Sequence, residues 1–283
     1  MLRFVLALVL SMPAALAAQE RRPSHCIAIA ESAPSVQFVH FGPEIVHLAS
    51  AHSEEAVPPE TVRLRYLQHA SFLIETHGGL TAITDFTGFT GARGFVPDVV
   101  TMNHAHSSHW TASPSDDIPH VLRGWSEQFG IAIDHYLDLG EMLIRNVSTD
   151  IRSAFAGTEE NGNSIFVFEV AGLCVGHLGH LHHIPSDEQF AALGRLDVVM
   201  APVDGGLTLP LPEMITVLKR LRSSIVIPMH WFSGFSLRAF AQGMEGEFEV
   251  LVLDVPYLDV SLRSLPRSPT VMILQPQFVF DLD

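Results

Sequence analysis

The sequence predicts an α/β domain, and three observations carry that prediction. Short, β-branched, nearly continuous apolar runs recur at Val62 to Leu67, Leu80 to Thr84, Val96 to Met102, Leu173 to Val175, Val198 to Val203 and Ile225 to Met229. Such runs suit strands buried on both faces. Helical patterns fall between the later runs, as a sheet with crossover helices requires. The runs also end in histidine or aspartate, and in open α/β sheets functional groups collect at strand ends.

Taken from the start, Met1-Leu2-Arg3 is a short basic segment, Phe4 to Leu16 is apolar, and Ala15-Leu16-Ala17 is a small-residue cleavage pattern. Residues 1–18 therefore read as a secretory signal peptide; the apolar stretch is too short for a membrane span and holds Pro13. The expected location is the periplasm or the exterior. Residues 19–60 carry Pro23, Pro34, Pro43, Pro58 and Pro59 and read as an irregular N-terminal extension; residues 61–283 form the domain. Ser186-Asp187-Glu188-Gln189 is a capping box whose helix closes at Gly194. Pro212 to Arg222 places Met214, Val217, Leu218 and Leu221 on one apolar face. Ser236 to Gln242 is a third helix, ending before Gly243, and Phe248 to Leu253 and Val271 to Phe280 alternate like strands.

The densest chemistry lies in Asn103-His104-Ala105-His106-Ser107-Ser108-His109, directly after an apolar run. Imidazole is the commonest protein ligand for zinc and its neighbours. In extended chain, His104 and His106 point to one side and would grip one ion, with His109 in reach. A histidine-rich surface loop is the plain alternative. Five further runs end at His69, Asp85, His177 with His180, Asp204 and His230, and this convergence favours a shared metal site.

The chain resembles the metallo-β-lactamase-fold hydrolases, in the branch that includes ascorbate-phosphate lactonase and uncharacterised zinc-dependent hydrolases. The resemblance rests on Gln68-His69-Ala70-Ser71-Phe72-Leu73-Ile74, Ile83-Thr84-Asp85, His104 to His109, His177-Leu178-Gly179-His180, Pro202-Val203-Asp204-Gly205-Gly206 and Ile227-Pro228-Met229-His230-Trp231. It covers about residues 60 to 235. It implies a four-layer αββα sandwich and a hydrolytic metal centre. Three departures stand beside it. Ser108 replaces the family's aspartate in the His-x-His-x-Asp-His signature, His180 replaces a bridging aspartate, and Asn146 to Asp150 lacks an expected histidine. A neutral imidazole does not bridge two cations as a carboxylate does.

Two readings stay open. In the first, His104, His106, His109, His180 and His230 are the ligand pool of a rebuilt centre holding Zn²⁺, with Mn²⁺ or Fe as alternatives, as one ion rather than two. Asp85 would orient a ligand, His69 would donate a proton or touch substrate, and Asp204 would act as a base or shape a turn. The substrate is a small molecule, with a lactone or a phosphorylated compound implied by the resemblance. In the second, the protein binds metal or serves as a scaffold without catalysis. His182 and His183 read as a solvated turn before Pro185, and His177 as a residue behind the ligands. The formal net charge of −15, from 16 Lys+Arg against 31 Asp+Glu, argues against a nucleic-acid partner. Cys26 and Cys174 allow one disulfide, but Cys174 sits mid-strand and reads as a buried free thiol. The oligomeric state is not legible.

Overall fold

Continuous β-branched runs bury both faces of a strand, and short polar turns fold them back on one another. The computed structural model describes residues 21–32, 56–153 and 157–278, and in it the strands form two packed sheets. Numbered along the chain, the first sheet holds β1 (Val62–Gln68), β2 (Ser71–Thr76), β3 (Thr81–Ile83), β4 (Val99–Met102), β5 (His120–Arg123) and β13 (Tyr257–Val260), in the order β13-β1-β2-β3-β4-β5. The second holds β6 (Tyr136–Asp138), β7 (Met142–Arg152), β8 (Thr158–Val170), β9 (Leu173–His177), β10 (Val198–Pro202), β11 (Ile225–Met229), β12 (Glu249–Val252) and β14 (Thr270–Ile273), in the order β12-β14-β11-β10-β9-β8-β7-β6.

β9, β10, β11, β14 and β12 run parallel, so their connections must cross over. α2 (Asp187–Leu193) makes the crossover from β9 to β10, α3 (Leu211–Leu221) from β10 to β11, and α4 (Gly234–Met244) follows β11. The pleat of β8 shows how one strand serves two layers. Phe166 and Phe168 enter the core between the sheets with Tyr66, Phe72, Val175 and Met200, while Ile165 and Val167 face Leu193, Met214, Leu218 and Phe240 of the helices. The outer face of the first sheet takes its apolar cover from Phe86, Phe95, Trp110, Ile118 and Trp125, which lie in loops.

Two sequence expectations gain detail here. The capping box of α2 forms, with Ser186 Oγ accepting from Gln189 N–H at 3.2 Å and Gln189 Oε1 accepting from Ser186 N–H at 2.7 Å. The last helix passes through Gly243 instead of stopping before it. A Cβ at Gly243 would lie 2.4 Å from Ile215 Cδ1, so this glycine serves close packing of α4 on α3 rather than termination. The strand expected over 271–280 is limited to Thr270–Ile273, because Gln277 N–H turns to Tyr66 O of the first sheet; residues 279–280 lie outside the described residues, as does the signal segment.

The cysteine expectation is corrected. Within the extension, α1 (His25–Ser32) lies on the second sheet, and Cys26 is disulfide-bonded to Cys174 of β9. The segment is held by more than the bond. Glu169 accepts from His25 N–H at 3.1 Å, from His25 Nδ1 at 2.9 Å, from Ser24 Oγ, and from Arg145 Nε at 2.9 Å. Arg145 in turn donates to Ala192 O and Leu193 O, the last carbonyls of α2. Burial opposes charge on Glu169, but these donors outweigh it and draw its pKa down to about 2.

Two outcomes follow from this anchor. Replacing both Cys26 and Cys174 by Ala should lower the unfolding free energy in urea by about 2–5 kcal/mol, since the bond closes a long loop; an unchanged denaturation midpoint would contradict the staple. Because the folded pKa of Glu169 lies below its unfolded value of 4.5, its contribution is complete above that value and is lost as pH falls towards about 2. Glu169→Gln should therefore flatten the acid limb of the stability curve in that window. A limb of unchanged slope would place the acid sensitivity elsewhere.

Candidate metal centre

Strands from both sheets end at the same edge of the sandwich. His69 follows β1, Asp85 follows β3, the loop Asn103 to His109 follows β4, His180 follows β9, Asp204 follows β10 and His230 follows β11. A backbone bond from His230 N–H to His69 O at 2.8 Å joins the two sheets there. His69, Asp85 and His230 take left-handed backbone conformations, with φ of 48°, 43° and 55°. For residues with a Cβ this costs on the order of 1–2 kcal/mol each, so packing and hydrogen bonds must hold them there. Gly179, φ 59°, has no freedom to change: a Cβ would lie 2.4 Å from Asn103 Nδ2 and 2.6 Å from Asn163 Oδ1.

Four histidines converge. His106 and His180 meet Nε2 to Nε2 at 2.9 Å, and His109 and His230 meet Nε2 to Nε2 at 3.2 Å. Their four donor atoms all lie within 4.8 Å of one another. A tetrahedral zinc site with Zn–N of about 2.0–2.1 Å has N–N edges of about 3.3–3.4 Å. The His109–His230 edge is already near that length, and the His106–His180 edge needs to widen slightly. His106 is exposed and the other three are buried, so the cluster opens to solvent at His106.

The outer nitrogens show why these rings suit a metal. His109 Nδ1–H donates to Asp85 Oδ2 at 2.6 Å, and His230 Nδ1–H donates to Asp204 Oδ2 at 3.0 Å. Burial opposes charge on both carboxylates. For Asp85, the electrostatic pull of His109 and His177 and hydrogen bonds from His109 and Asn103 outweigh it; for Asp204, hydrogen bonds from His230, Thr208 and the Gly206 and Thr208 backbone do so. Both acids stay below the ordinary carboxylate range and accept the Nδ1 protons. In the neutral form that metal binding requires, each ring then offers its Nε2 lone pair inward, and the two Nε2 atoms face each other across 3.2 Å. Two such nitrogens repel unless a proton or a metal ion lies between them. This donor chemistry fits a divalent metal ion, and the carboxylate–histidine pairs match the usual support of metal-bound imidazole.

The other two rings are held by neutral groups. Ser108 Oγ hydrogen-bonds His106 Nδ1 at 2.7 Å and His69 Nε2 at 3.1 Å, so Ser108 lies behind His106 and not among the converging nitrogens. Burial first, then His109 and His230, lowers the His106 pKa to about 4; burial first, then His230 and His109, lowers that of His69 to about 3. His180 Nδ1 faces His182 Nε2 at 2.9 Å. His182 accepts from Arg152 N–H at its Nδ1, 2.8 Å, so its Nε2 carries the proton and points at both Leu207 O and His180 Nδ1. His180 thus faces a donor at its outer nitrogen, where His109 and His230 face carboxylates. Burial, reinforced by the surrounding imidazoles, keeps it neutral.

Several sequence expectations are relocated. His104 is outside the four-histidine group: its ring stacks on Trp125 at 4.9 Å, and its Nδ1 lies 3.3 Å from Glu159 Oε1. The loop after β4 is not extended, as His109 N–H turns back to His106 O, so the i, i+2 alternation fails. His182 is buried against His180 rather than solvated in a turn, while His183 is half-buried. His177 is buried and donates Nε2–H to Ala70 O at 2.8 Å. Asp204 both supports His230 and shapes the Gly206–Thr208 turn. Sequence reasoning missed Asn103, which clamps Asp85 at 2.8 Å while accepting from Ser164 N–H. A buried asparagine directly before the histidine loop was the available signal.

Asp85→Asn and Asp204→Asn test the support. Each offers the histidine a group that is not an anion, and each should weaken zinc binding by about 10–100-fold in a chelator competition titration. His180→Ala should cost less than His109→Ala or His230→Ala, because its outer nitrogen is not set for ligation. Equal losses at all three histidines would contradict the tautomer argument.

A family model described as a beta-lactamase superfamily domain matches residues 63–230. A UPF0173 protein of Pyrococcus abyssi is 24% identical over 216 residues, covering 69% of this chain and 98% of its own length. A UPF0173 metal-dependent hydrolase of Ignicoccus hospitalis is 22% identical over 206 residues, covering 63% of this chain and 86% of its own. Among solved structures, a metallo-beta-lactamase superfamily protein of Thermotoga maritima superposes with a TM-score of 0.54 at 24% identity, covering 76% of this chain and all of that one. The residues matched by the family model run from β1 to His230, the full span of the histidine centre, and the chain belongs to the metallo-β-lactamase superfamily.

Proposed function

We propose that the four histidines hold the catalytic ion of a metal-dependent hydrolase acting on a small molecule. The observation that carries this reading is the convergence of four imidazole nitrogens within 4.8 Å of one another, two of whose rings are oriented from behind by Asp85 and Asp204. The relatives named as metal-dependent hydrolases support it. Four neutral nitrogens with no carboxylate on the inner side suit one zinc ion better than two, since nothing anionic offsets repulsion between neighbouring dications; manganese and iron are the alternatives. A bound divalent ion would supply Lewis acidity and make water a nucleophile near neutral pH.

The chain's own groups divide the remaining work. Asp85 and Asp204 fix ring orientation and stay charged. His69 is neutral, touches Ser108 through Nε2, and tilts at 44° against His230 with ring centroids 4.2 Å apart. It is placed to hold or pass a proton at Nε2 through the Ser108 hydroxyl. Lactones and phosphorylated small molecules are the substrate classes carried over from the sequence resemblance. The acidic balance disfavours nucleic acid. The Cys26–Cys174 bond supports work in an oxidising compartment, in keeping with export.

A second reading, metal binding without catalysis, draws on His180, whose outer nitrogen is not set for ligation. The two separate on one experiment. Full-length protein is stripped with chelator, reconstituted with zinc, manganese or iron, and assayed on lactones, esters, amides and phosphoesters. Hydrolysis should require metal, and His109→Ala with His230→Ala should lower kcat/KM by at least about 100-fold. Tight stoichiometric metal with no turnover on any class would favour the binding protein; no bound metal after reconstitution would sink both.

A further inference from the structure

We propose that the substrate carries an uncharged apolar body, an acyl or aryl group on an ester or lactone, held by Phe232 and Leu207 on one edge of the site and by the His104–Trp125 stack on another. This deepens the hydrolase reading and rests on it. Phe232 is 61% exposed, yet its ring centroid lies 5.1 Å from that of His230 and 5.4 Å from that of His69. Leu207 is 56% exposed, and its carbonyl is 3.0 Å from His182 Nε2, one ring removed from His180. Phe235, 75% exposed, follows three residues after Phe232 on the first turn of α4. Large apolar side chains standing in solvent beside a buried polar centre mark a surface that a ligand covers.

The loop that supplies His106 and His109 builds the other edge. His104 lies nearly parallel to Trp125, with an interplanar angle of 21°, and Trp110 packs at 5.8 Å from both. His106, two residues after His104 on the same loop, is the exposed member of the cluster and packs on His109 and His180. A flat aromatic platform beside the opening suits a planar or aliphatic group.

Apart from the ion itself, the surrounding charges give a phosphorylated substrate little support. Anionic oxygens are recognised by guanidinium, ammonium or clustered backbone N–H groups. The guanidinium beside the cluster, Arg152, already donates to the carbonyls of Gly206, Leu207 and Thr208. On the stack side the charged group is Glu159, held by His104. Beyond the ion, a phosphate dianion would meet the Glu159 carboxylate and an Arg152 guanidinium already engaged, on a chain of net charge −15.

The test uses zinc-reconstituted full-length protein and p-nitrophenyl acetate, hexanoate and phosphate, which share a leaving group. A fully buried methylene is worth up to about fourfold in kcat/KM, so hexanoate should exceed acetate by at least about tenfold, with phosphate turned over less well than acetate. Phe232→Ser should collapse the hexanoate-to-acetate ratio towards one, mainly through KM. Leu207→Ser and Phe235→Ser, which do not touch a converging histidine, should each lower it severalfold. A flat chain-length series, a preference for phosphate, or a ratio unmoved in all three variants would overturn the proposal. Binding of N-phenylhexanamide, read by tryptophan fluorescence, separates the two levels. Saturable binding lost in Phe232→Ser, without turnover of any ester, would keep the apolar site and remove the hydrolase reading. Turnover of esters without amide binding or chain-length preference would do the reverse.

Discussion

The site depends on two buried carboxylates more than on any single histidine. Asp85 and Asp204 keep their charge against burial because each is surrounded by donors, and each spends that charge on one imidazole Nδ1–H. The consequence reaches across the rings. A protonated Nδ1 leaves Nε2 with a lone pair, and the fold aims the lone pairs of His109 and His230 at each other. In a low-dielectric pocket that arrangement is unfavourable without a cation. The preference for a metal ion is therefore built into hydrogen bonds behind the ligands.

Holding those carboxylates requires the whole sandwich. Asp85 sits at the end of a strand in the first sheet, and Asp204 at the end of a strand in the second. Asn103 and Ser164 tie the loop after β4 to β8 across the sheet gap, so the Asp85 clamp spans both layers. The left-handed backbone at His69, Asp85 and His230 is local strain sustained by this packing. The disulfide-anchored α1 lies behind the second sheet, on the side of the helices, and supports the parallel strands without entering the site.

Much of this was legible in the sequence. The apolar runs gave the buried strands, and the histidine or aspartate after each run marked the edge where the site forms, because strand ends of a packed sheet point at the same solvent-facing edge. What failed was finer geometry. His104 and His106 at i, i+2 suggested a pair on one side, but that inference needs extended chain, and the loop coils through the His109 N–H to His106 O bond. His182 looked like a turn residue because sequence does not reveal that Arg152 N–H and Leu207 O enclose it. The disulfide escaped for a similar reason: a mid-strand cysteine reads as core until a helix from 148 residues away in sequence is laid upon it. Ser108 and His180 stood out as departures, and the structure separates their roles, one behind a ligand and one among the converging nitrogens.

Four converging imidazoles with no inward carboxylate require a single ion in an all-nitrogen shell. X-ray absorption at the zinc edge of the reconstituted full-length protein measures that shell directly. The account predicts nitrogen scatterers at about 2.0–2.1 Å with the outer-shell pattern of three to four imidazoles and no neighbouring metal. A shell containing sulfur, a shell dominated by carboxylate oxygen, or a second metal at about 3.5–4 Å would contradict it.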